Sequence, residues 1–135
     1  MFEKDYLMRL IQTLMDAINR IVNNLDKDDI EGAKIQLSDS FRLLGNQKEY
    51  FHNTECEELI EFFKLKEGNY LKRVEFLAEL IYLDATIEED KTSKFEKFEK
   101  SKNLFQHYIE YSNEYSFDIN NKLILIKSKL EKLKE

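Results

Sequence analysis

Leu7, Ile11, Leu14, Ile18, Ile21 and Leu25 advance along the chain by 4, 3, 4, 3 and 4 residues, and Leu10, Met15 and Val22 widen the same stripe. That step is the period of an α-helix with one broad apolar face, and it predicts a first helix over residues 3–25. The run Asp26-Lys27-Asp28-Asp29 supplies acceptor oxygens and negative charge for the free amides of a second helix, which carries Ile30, Ala33, Leu37, Phe41 and Leu44 on one side. Gly45-Asn46 provides the left-handed residue that closes it. A polar loop containing His52 and Asn53 follows. Thr54 then stands three residues before Glu57, the spacing of a capping box, and predicts a short third helix with Cys56, Leu59, Ile60 and Phe63 inward, stopping at Gly68-Asn69.

From Tyr70 to Ile87 apolar residues occupy nearly every side of the cylinder, which marks the fourth helix as the centre of the core. The polar run from Glu88 to Ser93 closes it and starts a fifth helix, reaching to about Tyr115, with Phe95, Phe98, Phe105, Tyr108 and Ile109 inward. Asp118 is expected to cap a sixth helix, where Ile119, Leu123, Ile126, Leu130 and Leu133 step by 4, 3, 4 and 3. No run of four or more residues alternates in the manner of a strand. The expectation is one all-α domain over residues 1–135, with about six helices joined by short polar turns as antiparallel hairpins. The chain holds no Pro, whose presence inside any of these helices would cost about 3 kcal/mol.

Ala33, Leu37 and Ser40 follow an acidic turn with Ile30 just ahead, and Ser101, Phe105 and Tyr108 follow another with Phe98 just ahead. Both triplets sit at offsets 0, 4 and 7, and each resembles the second helix of a tetratricopeptide repeat, although Tyr108 stands where that repeat places a small residue. The resemblance implies a right-handed array of stacked hairpins with the sixth helix as its C-terminal cap. The opening Asp5-Tyr6-Leu7-Met8-Arg9, followed by Ile11, also resembles the start of a small bacterial domain family of unknown function, which implies a fold and no activity.

Composition narrows the setting. The lone Cys56 has no intrachain partner for a disulfide, no stretch is apolar enough for a spanning helix, and the acidic N-terminus is unlike a signal peptide. A cytoplasmic protein is expected. Seventeen Lys against four Arg, with ten Asn and twelve Ile, match the codon bias of an AT-rich genome and hint at a low-GC bacterium. Charge is uneven: residues 1–90 carry 11 basic and 20 acidic groups, a net of −9, and residues 91–135 carry 10 and 7, a net of +3.

Groups with catalytic potential are sparse. His52 and Cys56 are four apart, but zinc needs two further ligands of the right type. His107 and Glu110 have the spacing of one helix face, yet a di-iron bundle needs Glu-x-x-His twice. Gly32, Gly45 and Gly68 are isolated and form no phosphate loop. The reading is therefore non-catalytic, with no cofactor and no metal, and a small-molecule or metal-dependent enzyme is the less favoured alternative. Lys91, Lys94, Lys97, Lys100 and Lys102 cluster near Phe95 and Phe98, but Glu96, Glu99 and an acidic pI of about 5.1 describe a solvated helix face rather than a nucleic-acid surface.

Aromatic residues crowd the fifth helix and its exit in greater number than one face can bury. Phe95, Phe98, Tyr108, Tyr111 and Tyr115 are the candidate partner-binding residues, expected to rim a concave surface of the first, fourth and fifth predicted helices that takes a peptide or a partner helix. The competing reading of these rings is packing between the neighbouring helices. A second functional reading is a structural homodimer, with a self-complementary seam on the first or the sixth predicted helix.

Overall fold

A computed structural model describes residues 2–66, 68–114 and 116–135, with side chains from Asp5 onward. The described residues form seven helices: α1 (Phe2–Asp26), α2 (Ile30–Leu43), α3 (Lys48–Asn53), α4 (Cys56–Lys64), α5 (Tyr70–Ile87), α6 (Lys91–Tyr111) and α7 (Phe117–Lys134). They contain no strand, and the fold is all-α. The extra helix is α3, which occupies the segment expected to be a polar loop. Six residues are too few to display a helical period, and so short a helix is not stable by itself. Tertiary contacts hold it: Phe51 is fully buried and stacks on Phe41 and Phe63.

Several helix ends follow their local chemistry. Asp29 accepts from the Gly32 amide at the start of α2, Asn69 from Leu71 at α5, and Asp90 from Ser93 at α6. Gly45, at φ +110°, closes α2 as expected, its amide donating to the Arg42 carbonyl. Two expected caps are corrected. Thr54 ends α3 rather than capping the next helix, whose cap position is Glu55 with no side-chain bond. At α7 the cap is Ser116, whose hydroxyl accepts from the Ile119 amide at 3.2 Å, so Asp118 falls inside the first turn. Ser116 competes well here because its short hydroxyl reaches the amide three residues on.

The central position expected of the Tyr70–Ile87 helix is observed, for α5 packs against α1, α2, α4 and α6. Its core residues Val74, Leu77, Leu80 and Ile81 are fully buried. Pairs α1–α2, α5–α6 and α6–α7 lie side by side. Gly68, just before α5, abuts Leu7 near the start of α1, and Lys122 of α7 pairs with Glu79 while Lys129 and Thr86 share a hollow further along. α1, α5 and α7 therefore run in the same direction, and α2 and α6 return between them. The α6–α5 contact is close enough that the buried Ser101 hydroxyl donates to the Ala78 carbonyl at 2.9 Å. One connected apolar cluster draws on all seven helices.

Candidate functional site

Three places concentrate polar chemistry or exposed apolar surface, and each follows from how the helices meet. The first is an ionic network at the junction of α3, α5 and α6. Asp84 is only 3% exposed on the otherwise apolar α5. His52 Nε2 donates to its Oδ2 at 2.6 Å, Lys97 Nζ lies 3.2 Å away and Lys48 Nζ 3.9 Å. Lys97 also donates to Glu88 at 2.8 Å. Burial works against the Asp84 charge, but the His52 hydrogen bond and the Lys97 and Lys48 ammoniums outweigh it and hold its pKa below the ordinary carboxylate value. Burial also opposes the Lys97 charge, and here Glu88 and Asp84 win and hold its pKa high. A cavity of about 280 Å³ opens beside this network, lined by Lys34, Lys48, Asp84 and Lys97. His52 sits edge-on to Phe41 and does not line that cavity.

The second place is the contact between α6 and the end of α3. Lys100 Nζ donates to the carbonyls of Phe51, His52 and Thr54 at 2.8, 2.7 and 2.7 Å, so a single ammonium caps the C-terminus of α3. Burial lowers its pKa. Cys56 lies alongside, half-buried, its Sγ 3.9 Å from the Lys100 carbonyl, and burial raises the thiol pKa, which disfavours the reactive thiolate. An open cavity of about 390 Å³ here is lined by Cys56, Phe95, Lys100 and four glutamates.

The third is a groove of about 780 Å³. Its floor is α5, with Phe76 between Lys72, Glu75 and Glu79. One wall is α1, through Ile11, Met15 and Ile18, and the other is α7, through Ile119, Lys122 and Leu125. Met15 is 48% and Leu125 46% exposed, although both belong to helices whose other apolar residues are in the core. The polar groups of the floor are already paired, Lys72 with Glu75 at 3.2 Å and Lys122 with Glu79 at 2.6 Å.

The residues expected to bind a partner are distributed differently. Phe98 and Tyr108 are buried, at 0% and 4% exposure, and belong to the core. Phe98 packs edge-on to Tyr82 with Lys129 over its face. Phe95 is half-buried against the cavity beside Cys56. Tyr111 is exposed, but its ring lies 4.5 Å from that of His107, which also meets the Tyr70 hydroxyl at 3.3 Å. Tyr115 falls outside the described residues. The stripe is thus divided, because α6 is covered on one side by α5 and on another by α7, and two buried faces absorb the aromatic excess. α6 contributes nothing to the groove, whose walls are α1, α5 and α7 rather than the first, fourth and fifth predicted helices.

His52 faces Asp84 and Cys56 faces α6, so the two are not brought to one point. Among the described residues no group of three or more His, Cys, Asp or Glu converges as metal ligands would. The lysine cluster is largely engaged within the molecule: Lys94 donates to the Thr86 and Glu88 carbonyls, Lys97 and Lys100 bond as above, and Lys102 pairs with Glu99. No helix among the described residues is long and apolar enough to cross a membrane. The Asp84 network was missed by sequence reasoning, although one signal was present: an acid at a core position of a helix apolar all round requires buried partners. No family model, curated protein or solved structure matches the chain.

Proposed function

We propose that this protein is a non-catalytic interaction module of the cytoplasm, in a bacterial cell, and that the groove between α1, α5 and α7 receives an amphipathic helix of a protein partner. The observation that carries this reading is the pair of half-exposed apolar side chains, Met15 and Leu125, on opposite walls above Phe76. Apolar side chains lining a concave surface between parallel helices suit a helix that inserts its apolar face, with Met adapting to irregular shapes. The hairpins α1–α2 and α5–α6, with α7 behind them, are similar in order to a tetratricopeptide array and its cap. The ionic network supports a structural role for His52 and Asp84, since Asp84 is almost fully buried and its carboxylate is engaged by His52, Lys97 and Lys48 within the chain. Nucleic acid and membrane play no part in this reading.

A photo-crosslinking side chain at position 125 or 15 tests it in intact cells. Crosslinks to one defined partner are expected from both positions, and none from Ile35, which is 61% exposed on α2. Met15→Glu should abolish the crosslink from position 125. Equal crosslinking from Ile35, or indifference to Met15→Glu, contradicts the reading.

Ile119, Leu123, Ile126 and Leu130 of α7 are buried and α7 lies against α6, which favours the capping role for α7 and, for the homodimer reading, a seam on α1.

A further inference from the structure

We infer that the partner helix of the groove carries clustered carboxylates at its C-terminal end, seated in a second hollow lined by Lys94, Lys129 and Lys132; the inference rests on the groove reading above. That hollow, of about 220 Å³, lies between the C-terminal ends of α5 and α7, and Thr86, Phe98 and Leu133 complete its lining without a carboxylate. It continues the groove. Along α7 the groove residues Asp118, Lys122 and Leu125 and the hollow residues Lys129 and Lys132 advance by 4, 3, 4 and 3, which places all five on one helix face. Aromatic rings join the two parts: the Lys122 ammonium lies 5.1 Å from the centre of the Tyr82 ring, Tyr82 is edge-on to Phe98, and the Lys129 ammonium lies 5.9 Å from the centre of the Phe98 ring. From Lys72 to Thr86 the strip of α5 beneath this trough is about 21 Å long at the rise of an α-helix, the length of roughly four helical turns.

Charge distinguishes the two ends. The groove end is lined by Lys72, Lys122, Glu75, Glu79 and Asp118, a net of −1, and both of its lysines are paired with a glutamate. The hollow end holds three lysines and no acid, a net of +3 in a chain whose total is −6. Lys129 and Lys132 have no carboxylate partner among the described residues, and Lys94 donates only to the Thr86 and Glu88 carbonyls. Ammoniums gathered around the apolar base of Phe98 and Leu133 repel one another, and an anion seated among them relieves that repulsion. An α-helix carries partial positive charge at its N-terminus and partial negative charge at its C-terminus, so the polarity of the trough fits one direction of the bound helix. Its N-terminus lies at the Asp118 end, its apolar face meets Met15, Phe76 and Leu125, and its C-terminal carboxylates reach the lysines. A helix with a basic C-terminal end gains the same apolar contact but adds like charge to the hollow.

Two dye-labelled synthetic helices of about 15 residues, the length of the strip, test the inference: both carry Leu along one face and Ala and Gln elsewhere, and they differ only in having three Glu or three Lys in the last turn. Fluorescence anisotropy with the full chain in about 50 mM salt should show the Glu peptide binding at least about tenfold more tightly, and about 0.5 M salt should shrink that preference by screening. Lys129→Gln combined with Lys132→Gln should bring the two affinities within about twofold while circular dichroism and the melt stay unchanged. Should the pair lose its melt, Lys132→Gln alone, at an exposed position, should narrow the preference at least about threefold. Equal affinities for the two peptides, both abolished by Met15→Glu, overturn the acidic end and leave the groove reading standing. A preference that survives the Gln substitutions overturns the inference as well, because the carboxylates are then bound elsewhere. Binding of neither peptide also overturns it, and the crosslinks from position 125 decide the groove reading separately. A thymidine oligonucleotide bound as tightly as the Glu peptide, and released by the same substitutions, overturns a protein helix as the occupant of the hollow.

Discussion

Replacing Lys100 with Met keeps an unbranched apolar stem and deletes the ammonium with its three hydrogen bonds, to the carbonyls of Phe51, His52 and Thr54, each 2.7 or 2.8 Å long. A hydrogen bond from a charged donor is worth about 1.5–3 kcal/mol. The three share one ammonium, whose burial lowers its pKa and so offsets part of the gain, and water can reach some of the released carbonyls. A net loss of about 3 kcal/mol follows from taking the lower figure per bond and discounting the sum by a third. With an unfolding entropy of about 2.1 cal/mol/K per residue, 135 residues give about 0.28 kcal/mol/K, and Tm falls by about 10 °C. Because α3 has six residues and depends on outside support, amide exchange should accelerate first over Tyr50–Thr54. Lys100→Arg should recover only part of the loss, since a planar guanidinium does not aim three N–H groups at three carbonyls converging on one point. Differential scanning calorimetry with hydrogen exchange decides it. A Tm shift under about 2 °C, less than 1 kcal/mol on the same scale, with unchanged exchange in α3, refutes the role assigned to Lys100.

Asp84→Ala should cost about 3–5 kcal/mol by leaving Lys97 and His52 without their buried acceptor, as read from denaturant unfolding. The Asp84 pKa is lower in the fold than in the unfolded chain, so its contribution is complete above about pH 4 and disappears as pH falls through the folded value; Asp84→Asn should flatten the acid limb of a Tm–pH profile. Gly68→Ala should destabilise by about 1 kcal/mol or more, because Gly68 holds φ +93° and a methyl group there meets Leu7; an unchanged melting curve contradicts this close approach. Phe98→Ala should cost about 3–5 kcal/mol and Tyr111→Ala well under 1, and equal effects in urea melts would contradict the division of the aromatic stripe.

How far the chain discloses itself depends on the range of the interactions. Helices α1 and α2 announce themselves because their apolar period repeats over several turns, and α5 because its apolar residues cover nearly every side; the cap of α2 lies within three positions of the amide it serves. α3 does not, since it forms only when Phe51 meets Phe41 and Phe63 and Lys100 arrives from α6, partners between 10 and 49 residues away in sequence. The aromatic crowd on α6 was visible, but whether it faced solvent depended on how many helices would cover α6, a tertiary fact. The groove has the same character. Met15 reads as the edge of an amphipathic stripe while Leu125 lies outside the 4-3 seam of the last helix, and their shared cleft emerges only when α1 and α7 flank α5.

The claim that the groove is covered in the cell is tested most directly by hydroxyl-radical footprinting of Met15, compared between intact cells and the dilute purified chain, with the exposed Tyr111 as an internal reference. The account predicts that labelling of Met15 drops sharply in the cell while Tyr111 is labelled alike in both settings. Equal labelling of Met15 in the two settings would contradict it.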